Sequence, residues 1–579
     1  MTSSLKLGLI LIVAGFVYLV GNSRTQLFDR DEPRYAQCSR QMLQSGDWVV
    51  PRLYDTIRAA KPPGIYWCQA TAMNLLGDTA FAARLPSALA ALLTIMLLAL
   101  AVWREAGQRH ALWTLFIFSS SALTIWCAKV CMTDAVLLLW VTGALICVYR
   151  VWQGRGGWWT FIGLAITVGF GGLVKGPFIL GVLGGTVAML AVLAAFDRWL
   201  DGRRRSHSSN SKIPVDEDKH VRLPDRRQPR VSALQMAVCL LLITAIVLPW
   251  ILCVQHREPH FLSASTQDAV QHLDSGAEGH KGPPGYHLVL IWVTFLPWSL
   301  LLPLAIGLGF KNRRLPQVRF ALAVVLGTWV FVEAVQTKLP HYMLSAFPAL
   351  AFLTADAVIR CLDGQYRDLE SRQMRSASII WAAAIVLLFT VPWWWLDLKF
   401  HDPQWIALIA MSGLAVCAAA AVCGLMFWRR PRAALVCMGS ASLALTAILF
   451  GVYFPRCQPL RLSMRVADVL KAHDVVHPGE SLMLDYKEPS LAFYQGGTIR
   501  EAKHSLVVLQ HLDTASRWMV LTRQIWDQTT PAVRARLEVV GPPLNGFLYS
   551  DMKPIEVMVV RKMYPAPTTR SADQANLNH

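Results

Sequence analysis

Most of this chain alternates long apolar runs with short polar breaks. The runs fall near 5–21, 80–103, 110–128, 133–153, 158–174, 177–197, 232–254, 287–309, 320–337, 342–361, 377–396, 405–428 and 433–454. Each spans about 17–25 residues, long enough as a helix to cross a hydrocarbon core of about 30 Å. The pattern predicts about thirteen membrane-spanning helices. No small-residue cleavage site follows the first run, so it reads as a retained helix rather than a signal peptide.

Four segments depart from the pattern. The first is a loop over 22–78. Inside it, 32–45 and 64–76 read as amphipathic helices that could lie flat in the interface, with Tyr35, Met42, Ile65, Trp67 and Leu75 among their apolar positions. The second, 198–231, is rich in Arg, Ser, Asp and Pro and reads as flexible. The third is a loop over 255–286. The fourth begins at 456, where the composition turns soluble. There 481–484, 518–521, 537–540 and 555–560 read as short strands and 464–473 as a helix. A membrane domain over 1–455, a small α/β domain over 456–565 and a disordered tail over 566–579 are expected.

Composition supports this division. The chain is 54% hydrophobic with a mean hydropathy of +0.39, more apolar than a soluble protein of this length. A net charge of +18 invites a nucleic-acid reading. The distribution argues against it, because basic residues cluster in alternate loops, at 203–230, 311–319, 360–375 and 429–432. That is the positive-inside pattern; it places those loops and the N-terminus in the cytoplasm. An odd helix count then puts the C-terminal domain outside. Trp158-Trp159 and Trp393-Trp394-Trp395 suit interfacial belts. The 12 cysteines show no zinc spacing. Cys38 and Cys68 share the first loop, where a disulfide could form.

On this topology several polar clusters fall at one side of the membrane. They are Asp31-Glu32-Pro33-Arg34-Tyr35, Lys61-Pro62-Pro63, Lys129 with Thr133-Asp134, Lys175-Gly176-Pro177, and Lys338-Leu339-Pro340-His341-Tyr342. Charges at a bilayer are costly unless solvated, paired or used. Several cations beside two or three acids suit a phosphate-bearing lipid, since lysine binds phosphate as a point charge and arginine as a fork. A carboxylate could act as general base toward a hydroxyl, or hold a divalent cation against phosphate oxygens. Each residue also has a plainer reading. Asp31 and Glu32 could be a solvated loop start, and Asp134 a helix cap with Thr133. Lys129 and Lys175 could snorkel. His341 could be a hydrogen-bonded interface histidine, and Tyr35 and Tyr342 belt aromatics. The third loop carries His260, His272, Asp274, Glu278, His280 and Lys281, a candidate metal site without tight ligand spacing.

The order of these motifs carries a resemblance. Asp31 to Tyr35, Ser45-Gly46-Asp47-Trp48-Val49-Val50-Pro51-Arg52-Leu53, Lys61-Pro62-Pro63, Met132-Thr133-Asp134, Lys338 to Tyr342 and Glu488-Pro489-Ser490-Leu491-Ala492-Phe493-Tyr494 together resemble the lipid-carrier-dependent glycosyltransferases. The nearest group is the aminoarabinose-to-lipid-A transferases, related to the protein O-mannosyltransferases. The resemblance implies a polytopic α-helical membrane protein of GT-C type, with a C-terminal periplasmic α/β domain, in a bacterial inner membrane. It implies a polyprenyl-phosphate sugar donor, with undecaprenyl as the bacterial carrier, and a lipid A-like or other envelope acceptor. Asp31 takes the catalytic acidic position and Asp134 that of a second acid. Arg34 and Lys61 would hold the donor phosphate, with Lys338 beside them. Glu32, Tyr35, Lys129, Lys175, His341 and Tyr342 would line the cavity. The chain departs from the family at Ala60, where an acid is usual, at Arg58, where an aromatic is usual, and around 272–276, which lacks an expected arginine. No cofactor is assigned beyond a divalent metal ion that the acids could hold. No phosphate-cradling Gly-rich loop is present to bind a nucleotide. The rival reading is a lipid-linked sugar flippase or binding protein, which would need the charges for recognition alone.

Overall fold

The computed structural model describes residues 3–208, 231–274, 282–402 and 404–563. The predicted tail, most of the 198–231 loop, and Glu278, His280 and Lys281 of the third loop lie outside the described residues. Two compact units emerge. The first comprises residues 1–23, 38–395 and 405–453. The second comprises residues 24–37, 396–404 and 454–579.

The first unit is helical. Every predicted apolar run is helical in whole or in part. Among the described residues, ten helices are long and apolar enough to cross a membrane, or eleven if one bent pair is a single span. Two apolar stretches are shorter, Ser3–Leu19 and Trp298–Lys311.

Two runs read as continuous are broken. Helices Gln108–Ser120 and Ala122–Lys129 meet at 62°, and the 287–309 run splits into Tyr286–Thr294 and Leu302–Lys311 around Pro297. A break in an apolar medium must find new partners for its backbone polar groups. These two breaks supply each other. Ala122 N donates to Leu296 O (2.8 Å), Trp298 Nε1 donates to Ser120 Oγ (3.0 Å), and Ser442 Oγ donates to Ser120 O (3.0 Å).

The two helices predicted in the first loop are present as Asp31–Ser45 and Gly64–Leu76. Between them the Ser45-to-Leu53 motif is fastened down. Asp47 Oδ1 accepts from Val49 N (3.0 Å) and Val50 N (3.2 Å) and pairs with Arg257 (2.8 Å). Trp250 Nε1 donates to Val49 O (2.9 Å), and Trp67 Nε1 to Trp48 O (2.7 Å). Cys38 is buried and Cys68 exposed, and the two do not form a disulfide.

The second unit carries a six-stranded mixed sheet: β1 (Ser481–Met483), β2 (Arg500–Glu501), β3 (Trp518–Thr522), β4 (Leu537–Val539), β5 (Leu544–Leu548) and β6 (Lys553–Lys562). Its order is β2-β1-β3-β6-β4, with β5 also paired to β6. β1 is parallel to β2 and β3, and β6 is antiparallel to its partners. The four predicted strands are present as β1, β3, β4 and β6, and the predicted helix as Leu462–Ala472. β5 was not predicted, because Asn545-Gly546 interrupts its apolar pattern. The glycine has a packing reason, since a Cβ there would lie 2.8 Å from Leu462 Cβ. Residues 24–37, assigned from sequence to the membrane domain's first loop, pack with this unit.

Candidate functional site

In the first unit, four of the predicted residues converge. Thr133 opens the helix Thr133–Trp152 and Asp134 sits in its first turn, where the helix dipole favours an acid. Lys175 closes the helix Trp158–Lys175, and Gly176, at φ +59°, turns the chain away. Lys175 Nζ lies 2.7 Å from Asp134 Oδ1, with both side chains at least nine-tenths buried. His341 Nε2 stands 3.8 Å from the other oxygen, Asp134 Oδ2. The Lys175 ammonium also lies 4.7 Å from the Tyr342 ring and 5.1 Å from that of Phe178, within cation–π range. The result is a buried acid, a cation and an imidazole walled by two aromatic rings 5.6 Å apart. Phe178 was not foreseen, because it looks like the start of an apolar run. Lys61 Nζ donates to Ala60 O (2.8 Å), and its charge is felt at Asp134.

Two predicted lysines are engaged elsewhere in this unit. Lys129 is buried, and its ammonium donates to Val17 O (2.9 Å), Val20 O (2.7 Å) and Asn22 Oδ1 (3.2 Å). It lies 4.6 Å from the Phe450 ring. These carbonyls end the helix Ser3–Leu19, so Lys129 satisfies a helix terminus. Lys338 pairs with Glu333 (3.3 Å) and donates to the backbone carbonyls of Val332 and Glu333. Glu333 also accepts from His287 N (3.0 Å) and lies 3.1 Å from His287 Nδ1. Sequence reasoning missed Glu333 and His287, each of which reads as one polar residue in an apolar run.

In the second unit, Asp31 starts the helix Asp31–Ser45 with its carboxylate about half exposed. Arg34 stands one turn on, 4.0 Å away. Glu32 is buried, and its Oε2 accepts from Phe28 N (2.7 Å). Tyr35 is buried as well. Asp31 is thus half exposed and Arg34 largely covered, while Glu32 fixes the backbone ahead of them.

That backbone meets the Glu488-to-Tyr494 motif. Asp29 Oδ1 accepts from Ser490 N (2.8 Å), and Ser490 Oγ donates to Asp29 Oδ2. Ser490 Oγ also contacts Ser463 Oγ (2.6 Å), which contacts Tyr486 OH (2.7 Å). Leu27 N donates to Tyr494 OH (2.9 Å). The Phe28 ring lies edge-on to Phe454 and Tyr549. Glu488 is buried beside Asp29, and burial together with this second carboxylate pushes the Asp29 carboxyl well above the usual range. Two motifs more than four hundred residues apart are thus one structural feature.

Among the described residues, no group of three or more His, Cys, Asp or Glu side chains is arranged to hold a metal ion. The donor set that could do so in the third loop falls largely outside the described residues.

Comparison with known proteins supplies a frame for this geometry. Residues 7–265 match the family of dolichyl-phosphate-mannose-protein mannosyltransferases. The undecaprenyl phosphate-alpha-4-amino-4-deoxy-L-arabinose arabinosyl transferase of Serratia proteamaculans is 30% identical over 366 residues, covering 61% of this chain and 59% of that protein. The enzyme of the same description from Yersinia pestis strain Pestoides F is 28% identical over 420 residues, covering 69% of each. The match thus spans less than two thirds of the Serratia protein and just over two thirds of the Yersinia one. The crystal structure of ArnT from Cupriavidus metallidurans bound to undecaprenyl phosphate superposes with a TM-score of 0.69 at 20% identity, over 95% of this chain and 97% of that one. The chain therefore has the GT-C fold.

Proposed function

From a chain related in sequence to the lipid-carrier-dependent glycosyltransferases and carrying their fold, we propose a transferase that moves a sugar from a polyprenyl-phosphate donor to a lipid A-like or other envelope acceptor. The reaction takes place at the periplasmic side of a bacterial inner membrane, where the C-terminal domain also lies. Undecaprenyl phosphate is the carrier. The observation that supports this reading best is the buried Asp134–Lys175 pair, with His341 and Tyr342 against it, in a chain of GT-C fold. A buried ion pair gives little net stability, so a pair walled by aromatic rings is better explained by use.

In the proposed reaction Asp31 accepts the proton of the acceptor hydroxyl. The freed oxygen attacks the anomeric carbon, the carbon–oxygen bond to phosphate breaks, and polyprenyl phosphate leaves with both electrons. Arg34 and Lys61 offset the charge that gathers on the leaving phosphate, the type of preorganised stabilisation that usually dominates such catalysis. Asp134 and Lys175 orient the sugar through its hydroxyl or amino groups. Displacement in one step inverts the anomeric centre. The phosphate's charge is met by side chains, so excess chelator is expected to leave the rate unchanged.

Asp31→Asn tests the assignment. It should keep donor binding and lower transfer by about a hundredfold or more, the usual contribution of a general base. Transfer by the variant within a few-fold of wild type would remove Asp31 from the reaction.

A further inference from the structure

The first unit has a second polar concavity at the far end of its bundle. A cavity of 1060 Å³ is lined by Arg367, Arg429, Arg430, Arg432, Tyr366 and Glu370 among others. It sits where the helices Phe347–Leu362 and Trp405–Phe427 end and where Arg372–Phe400 and Pro431–Ile448 begin. The span Pro340–Leu362 starts beside Tyr342 and ends with Leu362 on this cavity's wall. About twenty residues at 1.5 Å each separate the two by about 30 Å, the thickness of a bilayer core. The arginine cavity is therefore distinct from the Asp134–Lys175 cluster.

Three observations indicate what it takes. Among the described residues, the four guanidinium groups have no hydrogen-bonded or ion-paired partner, and Glu370 is the one acid on the wall. The four arginines are exposed, so water and salt screen their mutual repulsion, and together they present a basic face that an anion would complement. Next to them Phe427 and Trp428 are exposed, as aromatic side chains are at a membrane–water boundary. A second concavity of 540 Å³ adjoins the first, sharing Arg432 and Val436. Its wall is mostly apolar, with Leu9, Ile10, Leu112, Trp113 and Phe116; Lys6 and Arg109 also line it, Arg109 being paired with Asp363.

We propose that the two concavities form one site for an anionic phospholipid, with its phosphate among the arginines and an acyl chain along the Leu112–Phe116 groove. A free anion would use the first and leave the second unexplained. An uncharged lipid would leave the arginines unmatched. The site lies at the bundle end that the basic loops assign to the cytoplasm, where anionic headgroups meet basic pockets between helices. It would anchor the bundle's opposite end to the membrane and is separate from donor recognition.

The test uses the full-length protein in a non-ionic detergent, with lipid adducts counted by native mass spectrometry. Phosphatidylglycerol should bind wild type at least about tenfold more tightly than phosphatidylcholine. Arg430→Gln with Arg432→Gln should abolish that preference, and lysine at both positions should keep most of it. Leu112→Trp, which fills the groove without altering charge, should also weaken phosphatidylglycerol. Equal binding of the two lipids, or a glutamine variant that binds like wild type, would overturn the proposal. Displacement of phosphatidylglycerol by millimolar inorganic phosphate would make this a free-anion site. Its displacement by equimolar undecaprenyl phosphate would make it a carrier site. Either result would also overturn the proposal.

Discussion

Asp29 and Lys129 show what a buried ionisable group does for the fold. Lys129 holds the end of the first helix by three hydrogen bonds. Lys129→Met leaves those acceptors without a donor, at a cost of about 2–3 kcal/mol. The expected outcome is a lower unfolding temperature with unchanged transfer per folded molecule; lost transfer at unchanged stability would return Lys129 to the site. Asp29 has Ser490, Glu488 and the Ser463–Tyr486 pair around it. Its folded carboxyl holds its proton to higher pH than the unfolded chain does. Below the ordinary carboxylate range of about pH 4 both states are protonated. As pH rises past it, the unfolded state loses the proton first, so stability falls until the folded group titrates as well. Asp29→Asn should flatten that fall. Unfolding temperatures measured between pH 5 and pH 8 should drop less for the variant than for wild type, and parallel curves would refute the account. Lys129 stands in a quoted sequence motif, whereas Asp29 lies just ahead of one. A carboxylate two positions from a catalytic candidate looks like part of the same charge cluster until its partner, 461 residues on, is seen.

At the scale of elements, apolar periodicity carried most of the information. The two first-loop helices, the long spans and four strands of the sheet lie where the pattern puts them. It missed the breaks at Ser121 and Pro297, because each depends on the other for hydrogen bonds and neither is visible locally. It also missed the close approach of the helices Phe178–Ser208 and Pro316–Ala334. Their backbones meet at two glycines: a Cβ on Gly327 would lie 2.4 Å from Gly185, the small-residue contact by which membrane helices pack. Gly327→Leu should force these helices apart and lower stability by about 1–3 kcal/mol or more, the usual cost of overpacking. The measurement is thermal unfolding in detergent, and a wild-type midpoint would show that the helices do not meet there.

For the whole molecule, hydropathy alone established a multi-pass membrane protein, and the order of the motifs pointed to its fold. Sequence could not show which of many cations stand beside an acid. Lys61, Lys129, Lys175 and Lys338 all sit in polar breaks, yet their partners are a carbonyl, a helix terminus, Asp134 and Glu333. The partners of Lys129 and Lys175 come from segments distant in the chain, while Lys61 and Lys338 turn to neighbours within five residues, and nothing in the local sequence distinguishes the two cases. The proposed roles of Asp31, Arg34, Lys61, Asp134 and Lys175 are in transfer and not in carriage. The most direct measurement supplies purified wild type with undecaprenyl phosphate-linked aminoarabinose and lipid A, and follows both lipids by mass spectrometry. The account predicts one sugar mass gained by the acceptor for each undecaprenyl phosphate freed. Donor that is bound, or moved across a vesicle membrane, but never cleaved across a panel of sugars and acceptors would contradict it and favour a flippase.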